Sequence, residues 1–199
     1  MVKKVFMGLF LAVVVFGVWK GKRVLDMMLL QGTWTADDGR QITVATGGPM
    51  LLRIAYPGSE FGEGEGNYSM REGVDGVPLW FEGRYEVSAA PYLVAGQTAT
   101  ISGMSQGGRM ARPEDVSRVE FRDLTVRRAG GGRVEITTGA QGELTISRVF
   151  RGERTGDHVC DFAGMVQGGL TVVIRRVQKG ELQVEGAIQG TFRKENAWM

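Results

Sequence analysis

From residue 31 to residue 193 apolar and polar side chains alternate in one short run after another, and that period confines the chain to β-strands. A strand turns successive side chains to opposite faces, so alternation buries one face and leaves the other to solvent. The clearest run is 181–193, with Leu182, Val184, Gly186, Ile188, Gly190 and Phe192 on one face and Gln183, Glu185, Gln189, Thr191 and Arg193 on the other. The run 79–87 does the same with Leu79, Phe81, Gly83, Tyr85 and Val87. Weaker alternation covers 40–46, 50–56, 97–104, 118–127, 132–138 and 143–151, and 169–177 is the most apolar run. Between Val119/Phe121 and Leu124/Val126 the phase slips by one residue at Asp123, which predicts a β-bulge. Asp37-Asp38-Gly39, Gly47-Gly48-Pro49, Gly130-Gly131-Gly132 and Lys179-Gly180 are turn signals between runs.

Roughly eight to eleven strands joined by short turns predict a mainly β fold, an antiparallel β-barrel or β-sandwich with the barrel slightly preferred. The expected core comprises Trp34, Ile42, Leu52, Ile54, Leu79, Phe81, Tyr85, Ile101, Phe121, Ile136, Ile146, Val173, Leu182, Val184, Ile188 and Phe192. The segment 57–78, rich in Gly and Glu with few apolar anchors, is expected as a mobile excursion or binding loop.

Residues 1–30 have a different character. Lys3 and Lys4 precede an apolar run over 5–19 that includes Val5, Phe6, Leu9, Phe10, Val14, Phe16 and Trp19, and Lys20, Lys22 and Arg23 close it. As a helix the run spans about 22 Å, short of the ~30 Å hydrocarbon core, but flanking lysines reach the headgroups along their aliphatic stems and Trp19 suits the interface. The segment reads as an uncleaved single-pass helical anchor with an interfacial extension to residue 30, leaving one β domain at 31–199. A cleaved signal, giving a secreted protein, is the alternative; its cleavage site is poor, because no Ala-x-Ala follows Val15-Phe16-Gly17. Basic residues balance across the segment, so orientation rests on its extreme N-terminal position, which places the domain on the periplasmic side of a bacterial inner membrane.

Charge narrows the partners. From residue 31 there are 19 basic and 21 acidic residues, a balance that does not suit a bulk polyanion binder. The charges are uneven, with 4 basic against 9 acidic residues over 31–105 and 15 against 12 over 106–199. This split marks either a dipolar docking surface or ordinary solvation of outer strand faces. Cys160 is the sole cysteine, so no intramolecular disulfide forms and packing alone must hold the domain.

Candidate chemistry is sparse. His158 and Cys160 lie two apart, so if this stretch is a strand they share a face, where an imidazole can favour a thiolate, and Asp157 or Asp161 are the nearest further metal ligands; a small core cysteine is the competing reading. Glu60, Glu63, Glu65, Glu72 and Asp75 could gather around Ca²⁺, but their spacing fits no calcium loop and a solvated acidic segment explains them. Arg118, Arg122, Arg127 and Arg128 lie in or at the end of an expected strand without interleaved aromatics, so no nucleic-acid platform is expected.

Gly32-Thr33-Trp34, opening the first strand after a helical lead-in, resembles the Gly-x-Trp signature of lipocalin-like (calycin) barrels. The resemblance implies an up-and-down barrel that binds a hydrophobic ligand, with Trp34 plugging the closed end and Arg193 packing over it. The family's middle Thr-Asp-Tyr motif is absent. Two functions are expected. The first is a non-enzymatic, membrane-anchored accessory or scaffold subunit whose β domain docks on a larger membrane protein complex; the second is a barrel carrying a lipid or other apolar ligand. Neither needs a cofactor or a metal, and the bilayer is a partner of the anchored form.

Overall fold

The computed structural model describes residues 30–46, 49–107 and 114–194. The expected N-terminal helix and its anchor residues lie outside them, and among the described residues no helix is long and apolar enough to cross a membrane. The strands are β1 (Gly32–Ala36), β2 (Gln41–Ala45), β3 (Leu51–Pro57), β4 (Glu63–Glu72), β5 (Pro78–Ala89), β6 (Thr98–Gly107), β7 (Val116–Phe121), β8 (Leu124–Arg128), β9 (Arg133–Thr138), β10 (Gln141–Gly152), β11 (Gly156–Gln167), β12 (Thr171–Gln178), β13 (Glu181–Gly186) and β14 (Gly190–Lys194). They form one antiparallel sheet in the order β4-β5-β6-β11-β10-β7-β3-β2-β1-β14-β13-β12-β9-β8. Taken segment by segment, this is one large open sheet whose end strands, β4 and β8, do not pair with each other, rather than the closed barrel slightly preferred from the sequence.

Three strands run on through the labels. Gln141 opposes Gln167 in β10–β11 and Thr137 opposes Thr171 in β9–β12, the same register on both sides of a bend. Thr138 N donates to Leu170 O (2.9 Å) and Gly168 N to Ala140 O (2.8 Å) across it. Gly139 N donates to Asp123 O (2.6 Å), joining β7–β8 to the same bend. The ranges 116–128, 133–152 and 156–178 are thus three bent, continuous strands, which is why fourteen segments appear where fewer strands are expected. Pairing of the first two shifts by one residue between Phe121 and Leu124, at the phase slip read from the sequence. Because β8, an end of the sheet, continues β7 in its middle, the sheet rolls back on itself and encloses a core.

That core is one contiguous cluster in which Phe121, Phe162, Phe192, Leu52, Ile136 and Leu182 are fully buried. Of the expected core residues three depart. Leu79 is 53 % exposed, although Val77 and Pro78 just before it are buried. Tyr85 is half-buried, and so is Val173, whose neighbours Val172 and Ile174 take the interior positions. A run as apolar as 169–177 carries no alternation from which to choose the face. The run 181–193 is a hairpin rather than one strand, with Leu182 opposite Phe192 and Val184 opposite Gly190, so its inward set survives.

The segment 57–78 is also corrected, since β4 occupies Glu63–Glu72 and pairs along β5. Its glycines read as loop residues but are required by close approach: a Cβ at Gly64 would strike the carbonyl oxygen of Glu86, and one at Gly66 that of Arg84. The chain enters the sheet with Leu30 already packed in the core at 3 % exposure, although the sequence groups it with the N-terminal segment.

Candidate functional site

Trp34 lies on β1 with its indole 2 % exposed, and Nε1 donates to Leu30 O at 2.9 Å. A cation stands over the ring, but it is Lys194, with Nζ 5.3 Å from the ring centre and donating to Gln31 O at 3.1 Å. Cross-strand pairing sets Trp34 opposite Lys194 and Thr35 opposite Arg193, so the expected partner Arg193 falls on the other face. There it pairs with Asp37 (2.6 Å) and Glu181 (3.5 Å). One residue of register, invisible in the sequence, reverses the assignment.

Cys160 is fully buried on β11, and its Sγ is 3.8 Å from the Pro78 carbonyl, which also accepts the Gln106 side-chain amide. Burial pushes the Cys160 thiol up, and the charge of Asp161 adds to this, so the site favours the neutral thiol rather than a nucleophilic thiolate. His158 Nε2 has no hydrogen-bond partner among the described residues. Among them, no group of His, Cys, Asp and Glu side chains converges as a metal site.

The acidic residues of 60–75 are spread along β4 and its turn. Asp75 alone is tied down: its Oδ2 accepts from Arg154 N (3.0 Å) and Thr155 Oγ1 (3.2 Å), locking the β4–β5 turn to the β10–β11 turn. It holds φ at 61°, the left-handed region that costs a non-glycine residue about 1–2 kcal/mol. Asp75→Ala is expected to destabilise by about 1–2 kcal/mol, and Asp75→Gly by less because the glycine relieves the strain. Urea unfolding of both variants checks the ranking, and an alanine as stable as wild type would show that the lock carries no energy.

On the outer face of β4, β5 and β6 an open groove of about 390 Å³ is lined by Glu65, Arg84, Glu86, Thr100 and their neighbours. Arg84 bridges Glu86 (3.3 Å) and Thr100 (3.4 Å). Inside the same hairpin Tyr68 stacks on Phe81 (5.3 Å between ring centres), which meets Phe162 edge-on at 6.2 Å. Tyr85 and Tyr92 anchor the lead-in by donating to Gly62 O (3.0 Å) and Phe61 O (2.7 Å). Tyr68, Leu79 and Trp80 remain 46 %, 53 % and 43 % exposed, so this hairpin carries three of the exposed large apolar side chains among the described residues.

No protein-family model, curated protein or solved structure matches this chain.

The arginines divide by partner. Arg122 reaches Glu120 (2.8 Å) and Glu143 (3.3 Å), Arg53 takes the other Glu120 oxygen, and Arg118 donates to Ser147 Oγ (2.9 Å). Glu120 is 9 % exposed, so this network satisfies a buried carboxylate. Arg127, at the exposed end of β8, has no ion pair among the described residues. Lys194 over Trp34 and the exposed Tyr68 of β4 are not legible in the sequence, the first because it needs the strand register and the second because β4 reads as a loop, whereas the outward place of Trp80 follows from the alternation over 79–87.

Proposed function

We propose that this chain is a non-enzymatic, membrane-anchored accessory subunit whose β domain docks on a larger membrane protein. The observation that carries the reading is the β4–β5 hairpin. As the end strand β4 leaves a ten-residue edge with no second strand partner among the described residues, beside Tyr68, Leu79 and Trp80 held out to solvent. Free edges invite strand addition, and exposed aromatics on an otherwise packed domain mark contact surfaces. The hydrophobic run at 5–19 supplies the tether to the bilayer.

A second reading, the lipocalin-like carrier, is favoured by Trp34 beneath Lys194 and by topology. The segments β1, β2, β3, 116–128, 133–152, 156–178, β13 and β14 adjoin one another in chain order, and β1 pairs with both β2 and β14. That order suits an up-and-down barrel, with β4, β5 and β6 inserted between its third and fourth strands. The same interior weighs against a cargo, because Trp34, Phe121 and Phe192 fill it. Gentle detergent extraction and native purification of the full chain are expected to recover a stoichiometric membrane protein, less of it with Trp80→Ala. Recovery as a free monomer with bound lipid would favour the carrier, and an intact mass lacking the first residues would remove the anchor.

A further inference from the structure

In an antiparallel meander alternate turns lie at the same end of the sheet. The start of β1, the turn after β2, the β8–β9 turn, the β12–β13 turn and the end of β14 therefore share one end. The strand termini around the second pair of turns, 125–135 and 173–181, carry six basic and two acidic residues. Arg133 stands directly opposite Arg175 on the neighbouring strand, and like charges in that position repel. Arg127, Arg133, Arg175, Arg176 and Lys179 are all exposed, and none has an ion pair among the described residues. One of the two acids, Glu181, is engaged by Arg193 and Gln178. Val177 and Met50, at the same end, are 54 % and 38 % exposed. The opposite end bears Asp37, Asp38, Asp115, Glu153 and Asp157 against Arg40, Arg151 and Arg154, a milder acidic excess in which Asp38 is paired with Arg40 and Asp37 with Arg193. The difference between the two ends is set by strand topology rather than by the split between 31–105 and 106–199, since Asp115, Glu153 and Asp157 come from the more basic half.

The basic end is where the chain enters the domain, with Leu30 and Gln31 beside Lys194, downstream of the apolar run 5–19 and its closing Lys20, Lys22 and Arg23. We propose that this end docks on a bilayer surface of anionic lipids, the arginines meeting headgroup phosphates while Val177 and Met50 touch the interface. A cross-strand arginine pair is costly in the free domain and is relieved by an anionic surface. Entry of the membrane-directed segment at the same end orients the domain, its β4–β5 hairpin remaining free for a protein partner. The proposal rests on the anchored reading only for the tether.

The test uses the full chain with phosphatidylcholine vesicles, with or without 30 % phosphatidylglycerol as a probe composition of about that content. Flotation with neutral vesicles reports the tether. Hydrogen exchange of 125–135 and 173–181 reports docking, and these segments are expected to be protected on anionic vesicles only and to lose protection at high salt. Arg133→Glu with Arg175→Glu is expected to lower the docking equilibrium by at least about 25-fold, about fivefold for each arginine, while flotation persists. Both sites are exposed, and Arg133→Gln with Arg175→Gln serves as the milder variant, expected to fall between the two. Flotation with neutral vesicles but no lipid-charge-dependent protection overturns the docking and leaves the tether; flotation with anionic vesicles alone removes the tether and keeps the docking. Equal protection on both compositions, or equal protection by soluble polyglutamate, overturns the proposal in favour of another partner.

Discussion

Phe121→Ala is expected to lower the unfolding free energy by about 3–5 kcal/mol, the range for emptying an aromatic site in a packed core. Phe121 is fully buried at the end of β7, opposite Leu52, where the 116–128 strand bends toward β8. Its ring also closes on β10: a Cβ added at Gly142 would lie 2.8 Å from the ring. The cavity would open at the joint that rolls the sheet, where neighbouring backbone is held by the Gly139 to Asp123 bond and cannot collapse freely. Gly142→Ala alone should cost about 1–3 kcal/mol by overpacking. Combined with Phe121→Ala it should cost much less than the sum, because the methyl then occupies vacated space. Urea unfolding of the full chain in mild detergent, followed by circular dichroism, measures all three. A shift under about 1 kcal/mol for Phe121→Ala would mean that the joint is not packed as described.

Trp34→Ala is the second large effect, again about 3–5 kcal/mol, since the indole is nearly fully buried and its N–H bonds the Leu30 carbonyl. Trp34→Phe keeps much of the packing but leaves that buried carbonyl without its donor, for a loss of about 1–3 kcal/mol. Lys194→Met retains an unbranched stem and removes the cation over the ring, for about 0.5–1 kcal/mol. Arg193→Met should be milder, because its partner Asp37 is largely exposed and such pairs contribute about 0–1 kcal/mol. The same unfolding assay ranks the four. A larger loss from Arg193→Met than from Lys194→Met would restore the assignment that the Gly-x-Trp resemblance implies.

The two readings of Trp34 illustrate what alternation can and cannot carry. Leu182, Val184, Ile188 and Phe192 are interior, as their period requires, even though the run they share is a hairpin. The slip at Asp123 was visible because it interrupts two clean runs. Strand β11 was not foreseen: Val159 and Cys160 are both buried, and its register shifts at Ala163/Gly164, so two-sided burial and a bulge erase the period. Strand β4 was hidden for the opposite reason, since its exposed Glu and Gly residues bury almost nothing and its pairing is shaped by backbone approach rather than apolar pattern.

The sequence by itself determined that the chain after residue 31 is a mainly β, antiparallel domain, because period-two burial leaves few alternatives once turn residues separate the runs. It also placed most of the core, since which face is apolar is a local property of each strand. Only the tertiary structure decided that Lys194 rather than Arg193 covers Trp34, that Asp75 locks two turns together, and that Arg133 faces Arg175. These contacts join residues 42 to 160 positions apart in the chain. Their pairing is set by strand order and by a register in which one step exchanges inward for outward, and no local pattern of residues records either.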